Sequence, residues 1–240
     1  MKNNKANIKH KEIYKIIVDA AYSKNIFNVF SDFIELMALE MAIGIGVESE
    51  TRIEQFNKTK SKYNDNELEK YSIFKSLIIK EYLNNRFQDI LGVLFHDLNL
   101  QNEYKGQFFT PYTLSYVTAK VNISNEILVN NDFIEALEPA CGSGGMAIAA
   151  SQIAEEYGYN YSQKIIWTMN DIDIQCVYMS YIQCNLTGIA AVIQHADTLS
   201  MKVYDRFYTA AYILNNCCSR IASKRLENRI LSAIKNIQKN

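Results

Sequence analysis

The sequence predicts an α/β protein in which a helical N-terminal region precedes a parallel sheet, and three observations predict it. Residues 11 to 98 carry apolar side chains at helical spacing with no proline among them. Beyond Gly106, short strand-like apolar runs alternate with helical ones. The first of those strands ends in Glu138-Pro139-Ala140-Cys141-Gly142-Ser143-Gly144-Gly145, a glycine-rich turn into a helix. Strands that alternate with helices make right-handed crossovers, and ligands on such sheets sit at the carboxyl ends of the strands. The expected division is a helical region over 1–104 and an α/β domain over 105–240.

A chain of 240 residues can bury a sizeable core. Its 48% hydrophobic and 21% charged residues describe a soluble globular protein. The net charge of -1 gives no overall electrostatic case for nucleic acid or an acidic membrane. Residues 202–240 differ, since eight basic side chains there face only Asp205 and Glu227, and that end is expected to help if nucleic acid binds. Five cysteines without a Cys-x-x-Cys pair argue against a disulfide framework and a zinc site, so no metal is expected. No apolar stretch follows Met1-Lys2-Asn3-Asn4-Lys5, and Phe33 to Val47 is too short for a membrane span and carries Glu35 and Glu40. The expected location is therefore the cytoplasm, with no membrane partner.

Within the helical region, Phe30, Phe33, Ile34, Met37, Ala38 and Met41 draw one apolar stripe that Gly44 and Gly46 end. Phe87, Ile90, Leu91 and Leu94 repeat the spacing near the end of a second long helix. Both stripes read as packing surfaces. Glu48 to Lys70 is polar and reads as a loop or an exposed helical turn. Asn99 to Lys105 is a polar connector leading into Gly106-Gln107-Phe108-Phe109-Thr110-Pro111. Thr110 is expected to cap the next helix and Pro111 to occupy its first turn. The aromatic pair before it either staples the chain to that helix or faces a ligand.

After the glycine turn a helix is expected over 146–157, then a strand over 165–170 that ends on Asp171-Ile172-Asp173. A helix over 175–186, a strand over 190–194 ending in His195-Ala196-Asp197, and a fourth strand over 208–214 follow. The last helix has an apolar face of Leu226, Ile230, Ala233, Ile234 and Ile237. Arg225 and Arg229 lie on its polar side, where they are either solvated or in reach of phosphate.

An acceptor-only carboxylate at the end of the second strand can bind both ribose hydroxyls of a nucleoside. Asp171 is the candidate, 26 residues after Gly145. Asp173 is the alternative, and either one can instead cap the next helix. Asp197, at the third strand end, is an acceptor for an adenine amino group or another cap. His10, His96 and His195 have no partner spacing that suggests metal or acid/base work.

Four segments together carry a resemblance: residues 106–111, residues 138–145, Asn185-Leu186 with Gly188-Ile189, and Ala196-Asp197-Thr198-Leu199. In this order they resemble the S-adenosylmethionine-binding signatures of N6-adenine DNA methyltransferases. The closest group is the modification subunit of type I restriction systems, which also has a helical N-terminal domain. The resemblance implies a Rossmann-like S-adenosylmethionine-dependent methyltransferase sheet, incomplete in this chain. It implies that Phe108, Thr110, Glu138, Gly142 and Gly144 hold the methionine part of the cofactor, Asp171 the ribose and Asp197 the adenine. Glu138 stands where the family usually has aspartate, and Cys141 is a packed residue and no nucleophile. The implied partner is DNA, reached through a specificity subunit in an oligomer or hetero-complex of restriction-modification type.

One departure limits what the resemblance implies. Family members follow the fourth strand with Asn/Asp-Pro-Pro-Phe/Tyr, which grips and stacks on a flipped adenine. This chain has only Pro111 and Pro139, and at the expected place it has Asn215-Asn216-Cys217-Cys218. Asn215 is the remaining candidate for the catalytic acceptor. The missing stacking is worth about 1–3 kcal/mol per base, and a misplaced nucleophile costs roughly a hundredfold in rate. Too little chain follows for the family's further strands. Two readings stay open: a DNA adenine-N6 methyltransferase, or a catalytically inactive cofactor-binding or regulatory paralogue. A methyltransferase for a protein side chain or small molecule is a weaker third.

Overall fold

The computed structural model describes residues 10–46, 49–100 and 109–237. Five helices come first: α1 (Lys11–Ala20), α2 (Ile26–Ile45), α3 (Ser49–Lys60), α4 (Asp65–Asn84) and α5 (Ile90–Asp97). Their ends follow from local chemistry. The Asn25 side chain accepts from the Phe27 and Asn28 amides to start α2, and Gly46 at φ 79° ends it. Asn64 and Glu67 form a reciprocal capping box at the start of α4.

The long second helix expected through Leu94 is two helices. Asn85 turns the chain by accepting from the Phe87 amide, and Asp89 caps a new helix by accepting from Gly92 N at 3.0 Å. The polar stretch read as a loop or a helical turn is the full helix α3. Arg52 anchors it: its guanidinium donates to Arg206 O at 2.8 Å, pairs with Asp205 at 3.3 Å and lies over the Phe207 ring. The tether lies far along the chain, so no local pattern announces it.

The α/β part opens with α6 (Tyr112–Asn122) and α7 (Asn125–Asn130). Pro111, not Thr110, occupies the cap of α6, and no side chain caps that helix. Then come β1 (Ile134–Glu138), α8 (Gly145–Glu156), α9 (Tyr161–Lys164), β2 (Ile165–Asp171), α10 (Ile174–Thr187) and β3 (Ala191–Asp197). The three strands are parallel in the order β1-β2-β3, with Glu138 beside Met169 and Asp171 beside His195. The register brings the strand ends together on one edge.

The fourth strand differs from expectation in position and direction. It is β4 (Lys202–Tyr208), antiparallel to β3, reached through a tight turn at Met201 with φ 60°. Exposed and more buried positions alternate along it, which suits a half-covered strand. Residues expected as that strand instead form α11 (Ala210–Leu214), because Thr209 is a helix cap: its hydroxyl accepts from Tyr212 N and Ala191 N and donates to Ile189 O. The sheet is thus a four-stranded, open, mixed α/β sheet. The last element is α12 (Cys217–Ile237), whose Leu226, Ile230 and Ile234 are about half exposed.

One apolar core runs from Ile13 and Phe33 through Leu91 and Leu94 to Ile148, Met179 and Phe207. Helix α10 therefore has α2, α4 and α5 packed on its outer side, while α6 packs on α8. A smaller cluster of Phe133, Ile166, Ala190 and Val192 covers the other face of the sheet beneath Tyr212 and Cys217.

The tightest join between the two parts is at Gly92. A Cβ there would collide with the Asp89 carboxylate and come within 2.6 Å of Ser143 Oγ. Gly92→Ala is expected to destabilise the protein by about 1–3 kcal/mol, the usual range for overpacking. A thermal melt followed by circular dichroism should show a midpoint lower by several degrees. An unchanged midpoint would mean that α5 can lift off the glycine turn without loss.

Candidate functional site

The glycine turn leaves β1 and enters α8 within seven residues. Gly142 and Gly144 take φ of 53° and 94°, which other residues reach only with strain. Their reasons differ. A Cβ on Gly142 would lie 2.9 Å from the Phe109 ring, while one on Gly144 would lie 3.3 Å from the Ser180 backbone. Gly142 lets the half-buried Phe109 ring pack on the turn, and Gly144 lets α8 pack on α10.

A cavity of about 150 Å³ sits over this turn. Thr110, Phe109, Glu138 and Gly142 line it, and Asp89, Ser115, Ser143 and Gly145 also contribute. That is smaller than the roughly 300–1,000 Å³ of typical ligand pockets, so it can enclose only part of a larger ligand. Among the described residues, the lining includes two carboxylates and no Lys, Arg or His. The first turn of α8 points backbone amides toward it, and no side chain caps that helix.

Asp171 is fixed directly on the turn. Its Oδ2 accepts from Gly142 N at 2.9 Å and its Oδ1 from Asp173 N at 2.9 Å. The carboxylate retains acceptor capacity for a ligand hydroxyl. Burial raises the Asp171 carboxyl above its usual value, opposed by the Asp173 and Gly142 amides. Glu138 is raised as well, chiefly by burial, with the neighbouring Asp171 charge adding to the effect. Asp173 settles as a cap, accepting from Gln175 N at the start of α10.

Asp197 stands at the end of β3, and its Oδ1 accepts from Leu199 N at 3.0 Å and Ser200 N at 3.3 Å. The Ser200 side chain and then these two amides lower its carboxyl. The adjoining Thr198 donates to Pro139 O at 2.7 Å, which ties this turn to the glycine turn. Phe108 lies outside the described residues. Cys141 is buried, 3.2 Å from Ser180 Oγ, and burial pushes its thiol well up, so it is a packed neutral group.

A sequence model of the N-6 DNA methylase family matches residues 84–228, more than half of the chain. The chain belongs to the N-6 DNA methylase family. No curated protein sequence matches it. Among solved structures, a protein of Listeria monocytogenes described as a class I S-adenosylmethionine-dependent methyltransferase is similar, with 12% identity and a TM-score of 0.45. That comparison covers 82% of this chain and 55% of the other, so the chain spans little more than half of that protein's length.

In this N-6 DNA methylase family member, Asn215 is separated from the other candidates. Its side chain donates to Ser162 O at 2.8 Å, just before β2 begins, whereas the cavity lies where β1 and β2 end. Because β4 runs antiparallel, the segment after it returns to the opposite edge of the sheet. Sequence reasoning missed Asp89 and Ser115, which line the cavity together with Phe109 of the aromatic pair. Asp89 had a readable signal, an aspartate three residues ahead of a glycine at the start of an apolar helix. Ser115 had none that separates it from ordinary packing. Among the described residues, no three His, Cys, Asp or Glu side chains group to hold a metal, and no helix is long and apolar enough to cross a membrane.

The raised Glu138 carboxyl gives a pH prediction with a definite sign. The folded state binds its proton more tightly than the unfolded state, so wild type loses this contribution as pH rises through the raised folded value. Glu138→Gln lacks the charge. Its melting temperature relative to wild type is expected to rise as pH climbs from about 4 through the raised folded value of Glu138. A difference that shrinks over this range in thermal melts would contradict the burial of Glu138.

Proposed function

We propose that the cavity and the adjoining strand ends bind S-adenosylmethionine, and that the chain acts in DNA adenine-N6 methylation of restriction-modification type. The observation that supports this reading most is the direct bond between Asp171 and Gly142. It joins an acceptor suited to ribose hydroxyls to the turn that bounds the cavity.

The residues present fit this cofactor. Gly142 lets the turn pack directly against Phe109, where a Cβ would come within 2.9 Å of the ring, and α8 offers uncapped amides to a carboxylate. Glu138 and Asp89 suit a ligand with two cationic centres. Thr110, Glu138 and Gly142 would hold the amino-acid end, Asp171 the ribose and Asp197 the adenine. Gly144 would act by packing the turn onto α10. When bound, the cofactor supplies an electrophilic methyl group on a sulfonium. The chain's own residues orient it, hold its charges and leave its nucleoside along the open strand ends.

A second reading is favoured by the position of Asn215 and the absence of a Pro-Pro segment. On that reading the chain binds the donor but does not itself grip the target base, and acts as a regulatory or donor-binding paralogue. A DNA partner, and a specificity subunit to reach it, belong to the first reading.

Calorimetric titration with S-adenosylmethionine tests the shared claim. Wild type is expected to bind, and Asp171→Ala to bind at least about tenfold more weakly through loss of the ribose hydrogen bonds. No binding by folded wild type would overturn both readings. Methyl transfer to unmethylated DNA, with and without a candidate partner subunit, separates them: transfer in either case supports the enzyme, and binding without transfer supports the paralogue.

A further inference from the structure

Asp89 is an unusual residue for a mere helix cap. It is 6% exposed, yet it lines the cavity. Its Oδ1 accepts from Gly92 N at 3.0 Å and Gln183 Nε2 at 2.8 Å, and its Oδ2 accepts from Ser143 Oγ at 2.7 Å. All three of these donors are neutral. Burying a carboxylate without a cation costs several kcal/mol in an order-of-magnitude sense, and a cap alone needs only an amide or hydroxyl.

The position of Oδ2 matters most. A Cβ built on Gly145, the first residue of α8, would come within 3.3 Å of Asp89 Oδ2 and 3.7 Å of Ser115 Oγ. So one carboxylate, one hydroxyl and the uncapped start of α8 converge within the width of a single side chain. Hydroxyl and amides suit an anion, and the carboxylate beside them suits a cation. An α-amino acid head carries both charges on adjoining atoms. Glu138 is a poorer match for the ammonium, since it accepts from Ala140 N at 3.4 Å near the rim and sits beside Asp171.

We propose that Asp89 accepts the α-ammonium of the bound cofactor's amino-acid end, so that a residue of the N-terminal helices contacts the ligand itself. This rests on the cofactor reading above. The assignment makes α5 part of the site: the same carboxylate that caps it and holds Ser143 also reads the ligand's charge. A ligand lacking the ammonium then leaves a buried carboxylate uncompensated.

The test is a two-by-two comparison by calorimetry on the full chain. The proteins are wild type and Asp89→Asn, which keeps the capping oxygen and the shape but loses the charge. The ligands are S-adenosylmethionine and its analogue with a hydroxyl in place of the α-amino group. Wild type is expected to prefer the amino ligand by about 10- to 100-fold, the range for a hydrogen bond between charged groups. Asp89→Asn is expected to remove most of that preference while binding the hydroxyl ligand within about threefold of wild type. A preference that persists in Asp89→Asn, or no preference in wild type, overturns the proposal. Should the variant not fold, the wild-type arm still decides against the proposal when the two ligands bind alike. Failure of wild type to bind either ligand refutes the cofactor reading instead.

Discussion

Hydrogen bonds to one buried carboxylate hold three elements at fixed distance. Asp89 caps α5, receives Ser143 from the glycine turn and receives Gln183 from α10. Gln183 extends the set by donating to Ser143 O at 2.6 Å and accepting from Leu91 N and from the Tyr82 hydroxyl. Every member is buried, so a broken bond would strand a polar group away from water. The turn therefore cannot shift without disturbing α4, α5 and α10 together. Rigidity of this kind is what a site needs if its donors and acceptors are to meet a ligand without reorganisation.

A second constraint opposes the first. Glu138 and Asp171 lie close enough for the charge of one to raise the other, and both are partly buried. With Asp89 they give the strand-end region a negative character that no base among the described lining residues relieves. Local unfavourable charge in an otherwise consistent fold is where function is expected, because a structural role alone would have removed it. The cationic ligand proposed above would resolve the conflict.

Much of this was legible in the sequence. The glycine turn, β1 to β3 and the acids at their ends were readable because buried strands, tight turns and helix caps are local patterns. Three features were not. Helix α3 is polar on its surface and depends on Arg52 reaching β4, a contact across 153 residues. Strand β4 was misplaced because Tyr208 to Leu214 is as apolar as a strand, while Thr209 reverses the outcome by capping a helix. That shift carries Asn215 away from the cavity. Asp89 escaped notice because its sequence signal is that of any cap, and its meaning comes from Ser143 and Gln183, 54 and 94 residues away.

The central claim is that the glycine turn and α5 form one ligand-bearing unit. Hydrogen exchange of the full chain with and without S-adenosylmethionine tests it most directly, because amide protection reports on each segment separately. The account predicts that the ligand slows exchange both in the amides of residues 142–147 and in the first turn of α5 around Leu91 and Gly92. Protection confined to the turn, with α5 unaffected, would contradict it.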